Sequence, residues 1–317
     1  MPAPSFRPGA RSATRKHSGV KPAIAALALL ATLAAGPANP QSVPASAPVP
    51  ASAPVIAAAP AGFSYAGEPT QGGWLRGTVP RGTVALSLDG APVAFAPDLR
   101  FLIAFDRDAG PAVTLVATLA DGRTVTVPLT IAPRAGRIEH VAVGPRPGAV
   151  PSEEYARRRA IELERINTAR RIVSGSQGWR QDFVWPVKGR ISGRFGSQRV
   201  YRGTPGSYHS GIDIAPGANG GASGTPFVAP ADGVVILAAE SPFTLEGNLL
   251  MIDHGNGLNS AFLHCSELAV REGETVRRGQ YVGRIGATGR ATGPHLHWSL
   301  KWREARLDPI LFTGPMG

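Results

Sequence analysis

The chain of 317 residues contains one cysteine, Cys265, so no internal disulfide can form. It also lacks a membrane-length apolar run. The longest, AIAALALLATLAA at residues 23–35, is shorter than the roughly 20 residues a spanning helix needs. No stretch concentrates basic residues among aromatics, which argues against nucleic acid as a partner. The formal net charge is +11, but Arg7, Arg11, Arg15, Lys16 and Lys21 supply five of those charges and leave +6 spread along the rest. An H-E-x-x-H motif is absent, so no glutamate of that kind stands ready as a general base. Histidine is scarce too, with seven in all.

The basic arm and the apolar run that follows have the form of a secretory signal over residues 1–38, with small residues at Gly36, Ala38, Ala45 and Ala47. No cysteine follows the run, which removes lipid attachment there. The mature protein is expected to begin between about Gln41 and Pro50, to have no stable membrane span, and to work in the periplasm or cell envelope. Residues 39–62 have Pro/Ala/Ser linker composition.

From Phe63 to about residue 135 the pattern is β. TVALSLDGAPVAF and VTLVATLADGRTVTVPL each set Asp-Gly between alternating apolar runs, a strong hairpin signal. That predicts a small antiparallel β-sandwich with no catalytic cluster, a supporting or positioning module. Residues 151–178 read as a helical connector. Ser152 is placed to cap it, Glu153 and Glu154 suit its positive end, and Arg170 and Arg171 its negative end. Ala160, Leu163, Ile166, Ala169 and Val173 form a narrow apolar stripe.

Residues 180–314 hold His209, His254, His264, His295 and His297 among short β runs broken by glycine. In GPHLHW, His295 and His297 would share one face of a strand, about 6.6 Å apart. In YHSGIDIAP, His209 and Asp213 stand four apart, and AFLHCSEL ends a strand on His264. Zinc accepts imidazole and carboxylate ligands, and a catalytic site keeps one position open beyond three protein ligands. His209, Asp213 and one of His295 or His297 would make such a set. Tyr201 and Tyr208 lie near His209 in sequence, where packing is the simpler role. His254, in the turn-like DHGNG, reads as structural.

The segment from FVWPVKGRISGRFGSQR through LDPILF resembles the lysostaphin-type (LytM-like) zinc metalloendopeptidases of peptidoglycan. HSGID, GNLLMIDHGNG, FLHCS and GPHLH occur in that family's order and spacing. Together they are far more specific than any one alone. The resemblance implies one zinc ion held by His209, Asp213 and His297, with His264 and His295 as catalytic histidines. It implies a mainly β fold: an Ig-like antiparallel β domain, a short helical connector and a C-terminal LytM-type antiparallel β catalytic domain. The flanking sequence is similar to Gram-negative members, which implies a D-alanyl–diaminopimelate cross-link as substrate.

Two positions depart from the family pattern. Cys265 stands where leucine is more usual and should face the core. Phe262 replaces a tyrosine two residues before His264, removing a hydroxyl from that face. All five assigned residues lie between His209 and His297, so a fragment from about Gly178 is expected to suffice for chemistry. A catalytically silent, wall-binding or hydrolase-activating relative is the alternative, but such proteins typically lack ligands and none is missing here. A lipoyl-type carrier fails because the loop GATGRATGPH offers no lysine.

Overall fold

A computed structural model of the protein describes residues 62–141, 152–217, 222–239 and 241–316. The signal segment, the expected start of the mature protein and the linker up to residue 61 lie outside the described residues. Among the described residues, no helix is long and apolar enough to cross a membrane.

The upstream part consists of β1 (Ser64–Glu68), β2 (Trp74–Thr78), β3 (Thr83–Leu88), β4 (Ala91–Val93), β5 (Arg100–Ala104), β6 (Ala112–Leu119) and β7 (Thr124–Thr130). Its strands form a three-stranded sheet in the order β1-β2-β5 and a four-stranded sheet in the order β4-β3-β6-β7. Phe63, Leu75, Ile103, Leu115 and Val127 are buried in its core. Both Asp-Gly signals mark hairpins, but of different kinds. Asp89 and Gly90 both adopt positive φ, 47° and 80°, and join β3 to β4 as a two-residue turn. At the second, only Gly122 is left-handed, and the loop closes wider, with Leu119 N–H donating to the Arg123 carbonyl.

Downstream come β8 (Ile138–Val141), α1 (Glu153–Arg170), β9 (Arg190–Gly193), β10 (Gln198–Tyr201), β11 (Thr204–Tyr208) and β12 (Ile212–Ala215). They are followed by β13 (Pro226–Val228), β14 (Gly233–Ala238), β15 (Asn248–Gly255), β16 (Leu258–Cys265), β17 (Glu267–Leu268), β18 (Thr275–Val276), β19 (Tyr281–Arg284), β20 (Leu296–Trp302) and β21 (Ala305–Leu307). The main sheet runs β18-β14-β15-β16-β20-β12-β9, with β21 on β20. One face carries Val235, Leu250, Ile252, Phe262, Trp298 and Leu300 into the core. A smaller sheet, β13-β19-β17, adds Phe227 and Val282 to it. A third, β11-β10-β8, joins the upstream chain to the β10–β11 hairpin through parallel pairing of β8 with β10.

The upstream strands are fastened to the C-terminal segment. Trp74 donates its indole N–H to the Leu311 carbonyl at 2.8 Å, and its ring lies 5.2 Å from that of Phe312. The Arg76 guanidinium stacks 4.4 Å over Trp74, and Arg134 pairs with the buried Asp308 at 2.8 Å.

Helix α1 begins as expected, with the Ser152 hydroxyl accepting from Tyr155 N–H at 3.1 Å. Its buried stripe differs from the expected one. Ile166 and Ala169 pack on Ile236, Leu249, Met251 and Ala261, but Leu163 and Val173 are exposed. The buried position one turn before Ile166 belongs to Glu162, at 5% exposure. Partners explain that burial: Glu162 accepts from Thr244 N–H and hydroxyl, both at 2.7 Å, and pairs with Arg158 and Arg159.

His254 is structural. Fully buried, it donates Nδ1–H to the Asp232 carbonyl at 2.8 Å and accepts from the Ser260 hydroxyl at 2.7 Å. Burial pushes its pKa down to about 4. The unfolded value lies near 6.5, so the stability held in neutral His254 is complete above about pH 6.5 and is lost as pH falls toward 4. Thermal melts should show the gap between wild type and His254→Gln narrowing across that window. Equal gaps at neutral pH and at the acid end would contradict this.

Candidate metal centre and active site

Antiparallel pairing brings the site together. Asp213 on β12 lies directly opposite His297 on β20, and Leu263 on β16 lies opposite His297 from the other side. Directly opposed side chains project from one face with Cβ atoms about 5 Å apart. The carboxylate and imidazole therefore meet, with His297 Nδ1 2.9 Å from Asp213 Oδ1. This is the face toward which α1 packs; Phe262 and Trp298, one residue out of step, fill the core behind it.

His209 follows β11 and is held by its backbone, its N–H donating to the Ser197 carbonyl and its carbonyl accepting from Gly196 N–H. Its Nδ1–H donates to the Arg194 carbonyl at 3.1 Å, which leaves Nε2 as a bare acceptor. That Nε2 lies 3.1 Å from both Asp213 Oδ1 and His297 Nδ1. Three acceptor atoms thus converge within 2.9–3.1 Å of one another. Ligands 2.0–2.2 Å from a tetrahedral zinc would stand roughly 3.3 Å apart, so the set fits one zinc ion with little adjustment.

Burial alone would push the Asp213 carboxyl up, but hydrogen bonds and charge from His209 and His297 outweigh it and hold the carboxyl far below its usual range. Burial lowers His209 as well, yet the Asp213 carboxylate outweighs it and raises His209. Burial lowers His297.

The two remaining histidines stand beside this cluster. His295 donates Nδ1–H to the Gly293 carbonyl at 2.8 Å and points Nε2 to within 3.6 Å of Asp213 Oδ1. His264 donates Nδ1–H to the Thr288 carbonyl at 2.8 Å, and its ring centre lies 4.9 Å from that of His295 and 6.3 Å from that of His297. Burial, against the pull of the Thr288 carbonyl, lowers the His264 pKa to about 4, so the ring is neutral at pH 7. Strict strand alternation would have sent His264 into the core beside Phe262. Instead it has φ 65°, a left-handed backbone that turns the ring to the metal face. Phe262 is accordingly fully buried against Phe227 and Trp298, and does not share the site with His264.

Cys265 is fully buried with its thiol pushed up to about 12 by burial, an inert core side chain. Tyr208 is clamped, with the Arg107 guanidinium 4.1 Å over its ring and its hydroxyl accepting from Arg306. The side chain of Tyr201 lies outside the described residues.

Two glycines were missed as site residues because they act through the absence of a side chain. A Cβ on Gly193 would stand 2.3 Å from Asp213 Oδ2 and 3.1 Å from the His209 ring, and one on Gly211 would stand 2.9 Å from His297 Nε2. Gly193→Ala should therefore weaken zinc affinity by about 10- to 100-fold with the fold kept, as for a lost ligand support. Zinc per chain after dialysis, with circular dichroism beside it, checks this; full zinc retention would contradict it.

Among the described residues, His209, Asp213 and His297 form one group whose three ligand atoms could hold a metal ion, with the imidazoles of His264 and His295 beside it. Residues 207–309 match the model of Peptidase family M23. The chain is 40% identical over 135 residues to Peptidoglycan DD-endopeptidase ShyA of Vibrio cholerae, covering 42% of this chain and 30% of ShyA. It is 32% identical over 152 residues to Cell division protein DipM of Caulobacter vibrioides, covering 48% of this chain and 22% of DipM. The match thus spans less than a third of either relative's length. A solved structure assigned to peptidase M23 of Pseudomonas aeruginosa superposes with a TM-score of 0.59 at 28% identity, covering 78% of this chain and 96% of that one.

Proposed function

We propose that the protein is an exported zinc endopeptidase that hydrolyses peptide cross-links of bacterial peptidoglycan. The convergence of His209 Nε2, Asp213 Oδ1 and His297 Nδ1 on one point carries this reading. Bound there, zinc would acidify a water and polarise the scissile carbonyl. The chain's own residues supply the proton handling. His264 and His295 have each committed Nδ1–H to a carbonyl, so each Nε2 is free to take a proton. Once charged, the same Nε2–H can hydrogen-bond the oxyanion. The names of the relatives support a DD-endopeptidase, which makes the D-alanyl–diaminopimelate bond the preferred one.

Purified sacculi digested with the zinc-loaded protein, followed by mass spectrometry of the muropeptides, test the proposal. Conversion of cross-linked dimers to monomers is expected. Dimers left intact by a folded, zinc-loaded protein would refute it, and binding without cleavage would favour the silent alternative.

A further inference from the structure

Helix α1 makes three polar contacts with one short loop, and that loop supports His264. Arg158 donates to the Pro242 carbonyl at 2.8 Å. Glu162 accepts from both Thr244 N–H and hydroxyl. Arg159 grips Glu246 with two parallel bonds, at 2.6 and 2.7 Å, while also touching Glu162 at 3.2 Å. The backbone of Glu246 in turn accepts the His264 N–H at 2.8 Å. The next residue, Gly247, fits against Thr288, the residue whose carbonyl fixes the His264 ring; a Cβ there would lie 2.3 Å from Thr288 Oγ1. Leu245 extends the seam by accepting from Arg290 N–H at 3.0 Å.

We infer that Arg159 and Glu162 are positioning residues, bracing the 242–247 loop so that His264 is held in its left-handed conformation over the metal cluster. The consequence for turnover rests on the proposed catalytic role of His264. The chemistry of the contacts supports placement over bulk stability. The side chains of Arg159, Glu162 and Glu246 are 17%, 6% and 14% exposed, and a partly buried ion network adds little net stability. What a bidentate guanidinium–carboxylate pair does add is fixed geometry. A left-handed backbone at a non-glycine residue persists only where its surroundings over-determine it, as the Glu246 and Thr288 carbonyls do here.

The test uses the full chain with Arg159→Met, Arg159→Lys, Glu246→Gln and the Arg159→Met/Glu246→Gln double variant. Ile166→Ala, which removes apolar packing from the same helix, is the stability control. Zinc content, melting temperature, amide hydrogen exchange and turnover of purified muropeptide dimers are measured on each. In Arg159→Met, exchange at the His264 and Thr244 amides should rise about tenfold, with zinc unchanged. Its kcat should fall roughly 10- to 100-fold with KM nearly constant, the range for a small misplacement of a reacting group. The double variant should be no worse than the single, and Arg159→Lys should recover part of the loss. Ile166→Ala should lower the melting temperature as much while keeping most of kcat. Wild-type exchange at His264 in Arg159→Met would overturn the brace, as would an equal kcat loss in Ile166→Ala at equal melting temperature. If the wild type turns over no dimers, the proposed function fails, and the exchange data still decide the brace.

Discussion

His297→Ala is expected to lose its zinc, while His295→Ala keeps it and loses activity instead. The two imidazoles are separated by the single residue Leu296 yet make different contacts. His297 Nδ1 joins His209 Nε2 and Asp213 Oδ1 in the 2.9–3.1 Å cluster, so its removal leaves two ligands. Two ligands and solvent hold zinc poorly. His295 Nε2 stands farther off, 3.6 Å from Asp213, with its other nitrogen tied to the Gly293 carbonyl. Its loss should leave zinc near one per chain while turnover drops by roughly 10² to 10⁴, the range for a positioned acid–base or oxyanion group. His264→Ala should behave like His295→Ala, and the pair together should cost less than the product if both serve one transition state. Zinc per chain and turnover on all variants decide the matter. Zinc lost from His295→Ala but kept in His297→Ala would reverse the assignment.

Removing the metal should abolish activity without unfolding the chain. Without the metal, the two ligand histidines can carry protons on His209 Nε2 and His297 Nδ1 and donate them to Asp213, so the cluster has polar partners of its own. Asp213 and His297 also sit on paired strands of the main sheet, and the His209 backbone is tied to Ser197 and Gly196. Zinc at a hundredfold excess over its Kd should add about 3 kcal/mol to stability. For a folded unit of this size that is roughly 5–10 °C in Tm. Activity should vanish on exhaustive chelation and return with one equivalent of zinc, and calorimetry should show the Tm shift alongside. Hydrolysis that survives complete chelation would mean that the chemistry does not depend on the metal.

Much of this was legible in the sequence because it is local. The hairpins at Asp89-Gly90 and Asp121-Gly122 are set by the turn residues themselves, and only the loop length of the second was hidden. The spacing of His209 to Asp213 survives across the short connection from β11 to β12, and that of His295 to His297 across the start of β20, because each pair is close in sequence. What stayed hidden is non-local or lies in the backbone. The burial of Glu162 is not readable from the sequence because its partner Thr244 lies 82 positions away. Leu163 and Val173 looked like core because periodicity cannot say which neighbouring surface a helix meets. The backbone of His264 breaks strand alternation, so the rule that placed Phe262 beside it gave the wrong face. Gly193 and Gly211 carry no side chain for a motif to read.

The parallel pairing of β8 with β10 bears on how far the catalytic segment can be separated from what precedes it. A chain cut before Gly178 keeps all five histidine and aspartate positions but leaves β10 and β11 as a bare hairpin next to His209. Isolated two-stranded hairpins are marginal in water, and an uncovered strand edge invites pairing with other chains. The match to the family model starts at residue 207, while the strand pairing that covers this part of the fold reaches back at least to Ile138.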